Sequence, residues 1–128
     1  MLQAVVEVST PDPQGKNIKP RPVIVIGFDD DDDTVFQFCA ISSTFPKPVP
    51  RECVSLPYSH QYGGHASTGL YLESVAVCNW LDEAPKADVV KKWGYLPIKT
   101  FNRVIERIEA LDDDDESTDP VSAAQPAS

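Results

Sequence analysis

Two apolar runs separated by five consecutive aspartates constrain the fold of this chain most strongly. The runs are RPVIVIGF at residues 21–28 and TVFQFCAIS at residues 34–42, and the aspartates occupy positions 29–33. Each run is continuous rather than alternating, which is typical of a strand buried on both faces. The aspartate carboxylates favour water, so they are expected in an exposed turn. We therefore predict a buried hairpin with the aspartates at its tip.

Further short apolar segments predict a mainly β chain that ends in one helix. Pro- and Gly-rich connectors separate these segments, as is usual between strands. The additional predicted strands are 4–8, 51–57, 70–80 and 93–96. Apolar residues then recur every three or four positions from Ile98 to Leu111, just after Pro97, which is the pattern of an amphipathic helix. Five or six strands and one C-terminal helix favour a small, partly closed barrel of the SH3 type.

The length of 128 residues suits one domain with one core. We expect that domain, an SH3-like barrel with its C-terminal helix, to span residues 1–111. Residues 112–128 are acidic, then small, polar and Pro-containing, so they predict a disordered acidic tail. The loop at 29–33 holds five of the 20 acidic residues and this tail holds six. The formal net charge of −9 is thus concentrated in two segments, and it does not exclude binding to a nucleic acid by the rest of the chain.

The sequence contains no signal for export or for a membrane span. The longest apolar run, 23–28, is far shorter than a membrane-spanning helix and includes Gly27. The N-terminus lacks the basic and apolar regions of a signal peptide. Cys39, Cys53 and Cys78 are odd in number and lie among apolar neighbours, as reduced thiols in a core do. We expect a cytoplasmic protein with no membrane contact.

Four segments, in order along the chain, carry a resemblance to a known family. They are PDPQGKNIKPRPVIVI at 11–26, CAISS at 39–43, STGLYLESVAVCNWLD at 67–82 and WGYLPIKTFNRVIERIEAL at 93–111. Together they resemble the MazF/PemK toxins, which are endoribonucleases that cut single-stranded RNA. The resemblance implies an SH3-like barrel, a homodimer, RNA cleavage without a metal or other cofactor, and an antitoxin protein as partner.

The resemblance also implies a catalytic site around Arg21. This residue stands where the family has its catalytic arginine, and Ser42 stands where it has a catalytic threonine. A guanidinium offers a planar fork of donors to phosphate oxygens, and Pro20 and Pro22 restrict the backbone on either side of it. A serine hydroxyl can hydrogen-bond a phosphoryl oxygen as a threonine does. The residues expected to bind the substrate are Lys19, Ser43, Thr44, Lys47 and Asn79.

The chain departs from the family at the positions that would supply a general base. Asn79 and Val77 stand where the PemK branch has an aspartate and an arginine. Gly15 and Lys16 stand where the family has a serine and a glutamate. Glu73 can replace the missing carboxylate only if it points inward. The base is therefore unassigned, and a catalytically diverged SH3-like barrel that binds a protein or peptide is the alternative function.

A Gly-rich loop at residues 58–69 contains two histidines and two tyrosines. His60 or His65 could act as an acid or base near neutral pH, and Tyr58 or Tyr62 could stack on unpaired bases. A flexible loop that merely contains these residues is the alternative. No cysteine or histidine pair has the short spacing of a structural zinc site, so we expect no metal.

Overall fold

Six antiparallel strands, one α-helix and a short 3-10 helix (Lys86–Asp88) make up the part of the chain that the computed structural model describes, residues 2–11 and 14–118. Side chains are described as far as residue 112. The strands are β1 (Ala4–Thr10), β2 (Lys19–Phe28), β3 (Val35–Ser42), β4 (Cys53–Leu56), β5 (Ser74–Pro85) and β6 (Val89–Tyr95), and the helix is α1 (Ile98–Thr118). The predicted class, mainly β with a C-terminal helix, is confirmed.

The strands form one sheet in the order β4-β5-β3-β2-β1-β6, and each neighbouring pair is antiparallel. A bulge interrupts the pairing of β3 with β5, because Cys39 pairs with Leu81 whereas the next residue, Ala40, pairs with Val77. Bulges bend a strand and increase its twist, as the curvature of a partly closed barrel requires. The N-terminal part of β5 also pairs with β4, so β5 joins the end of the sheet to its centre.

Both faces of the middle of the central hairpin are buried, as its continuous apolar runs predict. Val23, Ile24 and Val25 are completely buried in β2. Because successive side chains of a strand alternate between faces, they belong to two clusters. Ile24 packs in a cluster with residues of β3, β5 and α1, whereas Val23 and Val25 pack in a second cluster with residues of β1 and β3.

The aspartates lie at the exposed turn between β2 and β3, as predicted. The carboxylate of Asp29 accepts a hydrogen bond from the backbone N–H of Asp31 at 2.8 Å. The carboxylate of Asp32 accepts from the backbone N–H of Thr34 at 2.9 Å and also from its hydroxyl. These bonds to the charged form lower the pKa of Asp32 below its usual value. Local side-chain bonds of this kind stabilise turns, so the run shapes the hairpin tip.

The helix is longer than the sequence predicts. Phe101 and Val104 are buried against the sheet, and α1 contacts β4 and β5. Its predicted end at Leu111 is wrong, since the helical backbone continues through Thr118. Extending a formed helix is easier than starting one, and no glycine or proline stops it before that point. Residues 119–128 lie outside the described residues, so the division into a domain and a disordered tail stays a prediction.

The three cysteines are buried free thiols, as predicted. The Cys39 thiol donates to the carbonyl of Val77 at 3.3 Å. Its hydrogen bond with the Cys78 thiol, together with burial, holds the pKa of Cys39 well above its usual value. Burial likewise raises the pKa of Cys53. In the described part of the chain, no helix has the length and apolar character needed to cross a membrane.

Candidate functional site

A cleft of about 660 Å³ opens at the end of the sheet where β2 begins and β3 ends. These ends meet because the two strands are antiparallel, with Val23 opposite Ala40. The aspartate turn lies at the opposite end of the same hairpin. Five of the seven predicted site residues line the cleft: Lys19, Arg21, Ser42, Ser43 and Thr44. The fold thus brings together side chains from two separate segments of the sequence.

Arg21 is half-buried, and its guanidinium is held by the backbone around it. Its Nε donates to the carbonyl of Thr10 at 3.0 Å, and its Nη2 donates to the carbonyl of Asn17 at 2.8 Å. The group also lies 5.4 Å from the centre of the Trp80 ring, a cation–π distance. Among the described residues, its Nη1 has no protein partner, so N–H groups remain for a ligand. Arg21 is therefore a positioned cation in the cleft.

The Ser42 hydroxyl takes part in a local turn at the end of β3. It donates to the carbonyl of Thr44 at 2.8 Å and accepts from the N–H of the same residue at 3.1 Å. Both bonds are exposed to solvent, so exchanging one of them for a bond to a ligand oxygen costs little. Ser43 is exposed beside it. Three consecutive hydroxyl-bearing residues thus form one wall of the cleft.

Lys47 does not line the cleft. Its ammonium group binds both carboxylate oxygens of Glu73 at 2.8 Å, in an exposed salt bridge. Glu73 also lies outside the lining, although its neighbours Leu72 and Ser74 belong to it. The carboxylate that the sequence offers as a substitute base is therefore paired with Lys47 outside the cleft.

Asn79 does not line the cleft either. It is exposed in β5, within the bulge between Val77 and Leu81. A bulge changes which side chains face each side of a sheet, and here the next residue, Trp80, lines the cleft instead. Trp80 is the residue that contacts Arg21, and sequence reasoning did not identify it as a site residue. A bulge depends on pairing with another strand, so the sequence of β5 alone does not reveal it.

Glu7 is a second site residue that sequence reasoning missed. It lies in β1 opposite Pro22, while the next residue, Val8, pairs with Arg21. Its Oε1 accepts a hydrogen bond from Nε1 of Trp93 at 3.2 Å. Among the described residues that line the cleft, Glu7 is the only carboxylate, and none is a histidine. A single acid in the apolar segment AVVEV was the available signal, because a charged residue is rare in a buried strand.

Tyr71 and Trp93 form a stacked aromatic pair at one side of the cleft. Their ring centres are 5.8 Å apart and their planes differ by 15°. A second cavity of about 600 Å³ adjoins the cleft at this pair, because Glu7, Tyr71 and Trp93 line both. The second cavity also contains His60 and Lys91. The two cavities therefore adjoin at the aromatic pair, and together we call them the groove.

The histidine-containing loop is organised by local hydrogen bonds. His60 Nδ1 lies 3.0 Å from the carbonyl of Tyr71. His65 Nδ1 accepts from the backbone N–H groups of Ser67 and Thr68 at 3.1 and 3.4 Å, so this ring shapes the loop. His65 is absent from the lining of both cavities. In the described segments, no group of three or more His, Cys, Asp or Glu side chains is arranged to hold a metal ion.

Sequence comparisons find no relatives, whereas structural comparison does. No protein-family model matches the chain, and none of the curated proteins matches it significantly. The Mycobacterium tuberculosis toxin MazF-mt6 is 21% identical with a TM-score of 0.61, over 85% of this chain and 96% of that one. A mycobacterial endoribonuclease solved with its cognate antitoxin is 9% identical with a TM-score of 0.63, over 88% and 94%.

A third solved structure, MazE-MazF from Deinococcus radiodurans, is 16% identical with a TM-score of 0.58, over 86% of this chain and 91% of the other. The chain therefore has the fold of the MazF toxins along nearly its full described length. At these identities the comparison establishes the architecture. The predicted SH3-like barrel of MazF/PemK type is confirmed.

Proposed function

We propose that this protein is an endoribonuclease toxin that cuts single-stranded RNA without a metal ion and is inhibited by an antitoxin protein. The observation that best supports this is the cleft, where Arg21 and Ser42 lie together although 20 residues separate them in sequence. Both stand at positions that the resemblance to the MazF/PemK toxins names as catalytic. The fold adds support, since similar structures include a toxin and an endoribonuclease.

The reaction needs a cation beside the phosphate and a group that removes a proton. The 2′-hydroxyl attacks the adjacent phosphorus, the bond from phosphorus to the 5′-oxygen breaks, and a 2′,3′-cyclic phosphate and a 5′-hydroxyl result. Negative charge grows on the non-bridging oxygens in the transition state. Arg21 binds these oxygens through its remaining N–H groups, and the hydroxyl of Ser42 donates to one of them.

Glu7 accepts the proton of the 2′-hydroxyl in this proposal. Its Oε1 accepts a hydrogen bond from Trp93, which orients the carboxylate. Among the described residues, Oε2 has no hydrogen-bond partner. A general base must reach the proton that it removes, and Glu7 is the carboxylate that lines the cleft. Lys19 lies two residues before Arg21 in β2 and also lines the cleft. Its ammonium group supplies a proton to the leaving 5′-oxygen.

The direct test incubates the purified protein with a long single-stranded RNA in EDTA. We expect fragments that end in a 2′,3′-cyclic phosphate, from the wild type and not from an Arg21→Ala variant prepared in parallel. Equal cleavage by both preparations would identify a contaminating nuclease. Intact RNA after prolonged incubation with the wild type would contradict the proposed activity and favour the alternative, a diverged barrel that binds a protein or peptide.

The proposal includes a homodimer, an antitoxin partner and action in the cytoplasm, where RNA is translated. Two of the similar structures support the antitoxin, since one is an endoribonuclease with its cognate antitoxin and the other is MazE-MazF. The peptide-binding alternative has less support, because the cleft contains an arginine, a hydroxyl and a carboxylate suited to a reaction on a phosphodiester. Light scattering tests the dimer, and we expect twice the mass of one chain.

A further inference from the structure

The groove beyond the cleft has the composition of a site for unpaired nucleotides. Its far part is lined by His60, Tyr62, Lys91 and Lys92, with Glu7 as its single carboxylate among the described residues. The Tyr62 side chain is fully exposed there. Aromatic rings interleaved with cations are the combination that binds single-stranded nucleic acid, because rings stack on bases and cations bind the backbone.

The aromatic pair shared by the two cavities is held in place by contacts of both rings. The Trp93 indole is fixed through its hydrogen bond to Glu7. Gly69 has φ +75°, and a Cβ there would lie 2.4 Å from the carbonyl oxygen of Trp93, so the loop approaches β6 as only glycine allows. Tyr71 is 52% exposed although its ring stacks on Trp93. An exposed aromatic surface on a fixed support loses little freedom when a flat ligand binds.

Charge around the pair favours RNA over an apolar protein segment. The ammonium group of Lys91 lies 5.8 Å from the Trp93 ring centre, and Lys92 lines the same cavity. On the other side of the pair, Arg21 and Lys19 line the cleft. A phosphodiester chain that crosses the pair therefore meets cations before and after it.

We propose that Tyr71 and Trp93 form a stacking platform for an unpaired base of the RNA, directly beside the scissile phosphate bound by Arg21. The next phosphate lies at Lys91 and Lys92 in the second cavity. This inference rests on the proposed function, and it names the part of that site which holds the substrate chain. Every base can stack on an aromatic ring, so the platform contributes binding affinity at this position and not base specificity.

The test measures binding of a fluorescein-labelled, fully 2′-O-methylated ten-nucleotide RNA of mixed sequence, which lacks the attacking hydroxyl and cannot be cut. We expect Tyr71→Ala to weaken binding about 10-fold, the loss typical of one stacked base. Tyr71→Phe keeps the ring and should bind like the wild type. Tyr71→Leu keeps apolar bulk without the ring and should resemble Tyr71→Ala. Circular dichroism and thermal melting establish that each variant is folded.

A second measurement changes the probe rather than the protein side chain. An otherwise identical probe whose nucleotides lack bases should bind the wild type weakly, and Tyr71→Ala should lower that affinity by less than twofold. Equal affinities of Tyr71→Ala and wild type for the ordinary probe would overturn the platform, as would a Tyr71→Phe variant as weak as Tyr71→Ala. Failure of the wild type to bind the probe would overturn it too. Binding that depends on the Tyr71 ring in a protein that cuts no RNA would leave the platform standing and refute the proposed nuclease.

Discussion

At the scale of single residues, the position of Arg21 is set both by its neighbours in sequence and by a contact with another strand. Flanking prolines restrict its backbone, which the sequence reveals. The two carbonyls that hold its guanidinium belong to Thr10 and Asn17, in the preceding strand and loop. The Thr10 contact exists only after β1 pairs with β2, whereas Asn17 lies just four residues before Arg21. A guanidinium held in this way loses less conformational entropy when it binds a phosphate than a freely rotating one does.

Substituting Arg21 tests whether geometry or charge alone is needed. We expect Arg21→Lys to lose most of the cleavage rate, roughly 100-fold or more, because an ammonium group cannot form both backbone bonds while also binding a phosphate oxygen. The melting temperature should change little, since the side chain is half-buried at a strand end. Initial rates on a labelled RNA provide the measurement. A lysine variant with wild-type rates would show that a positive charge suffices.

Glu7→Gln tests the assignment of the general base. Glutamine can still accept the hydrogen bond from Trp93, so the fold and RNA affinity should persist, whereas the cleavage rate should fall at least roughly 100-fold. Initial rates on a labelled RNA measure the loss of cleavage, and a binding titration with an RNA that cannot be cut measures the affinity. Glu73→Gln is the matched control, since that carboxylate is outside the cleft and bonded to Lys47.

At the scale of secondary-structure elements, the sequence was most informative where one face or both faces of an element are apolar. The strands of the central hairpin and the start of α1 were predicted because burial requires their residue types. The end of α1 and the bulge in β5 were not, since helix propagation and strand pairing leave weak local signals. The sequence predicted the residues that line the cleft from β2 and from the end of β3. Glu7, Trp80 and Trp93 were missed because pairing across the sheet places them there.

The contact of the 58–73 loop with β6 provides a prediction on stability. Gly69 and Gly63 both have positive φ angles, +75° and +85°, so alanine strains the backbone at both. Of these two positions, Gly69 is the one where the new Cβ would also collide with a backbone carbonyl, that of Trp93, whereas at Gly63 the Cβ would meet open space. We expect Gly63→Ala to lower the free energy of unfolding by about 1 kcal/mol and Gly69→Ala by about 3 kcal/mol. Urea denaturation measures the difference, and equal losses would refute the importance of the close approach.

At the scale of the whole molecule, charge is separated along the central hairpin. Arg21 and Lys19 line the cleft at one end of β2, and the aspartate turn follows the other end. A strand rises about 3.3 Å per residue, so Arg21 and Phe28 are separated by roughly 20 Å. Exposed charges interact weakly beyond the Debye length, which is about 8 Å at physiological ionic strength. The acidic turn therefore has little effect on a polyanion bound in the cleft.

Neutralising the turn tests this separation. Asp30, Asp31 and Asp33 are exposed, and within the described residues their side chains make none of the turn's hydrogen bonds, whereas Asp32 binds Thr34 and is best left unchanged. We expect the triple Asp→Asn variant to bind single-stranded RNA within twofold of the wild type at 150 mM salt, because screening hides the removed charges. At 10 mM salt the Debye length grows to about 30 Å, so the same variant should bind RNA several-fold more tightly than the wild type.

The Lys19→Gln variant is the matched comparison, since that charge lies in the cleft and its loss should weaken RNA binding at both salt concentrations. If the triple variant bound RNA more than fivefold more tightly than the wild type at 150 mM salt, the turn would lie close to the bound RNA. The substrate chain would then extend along the hairpin beyond the groove.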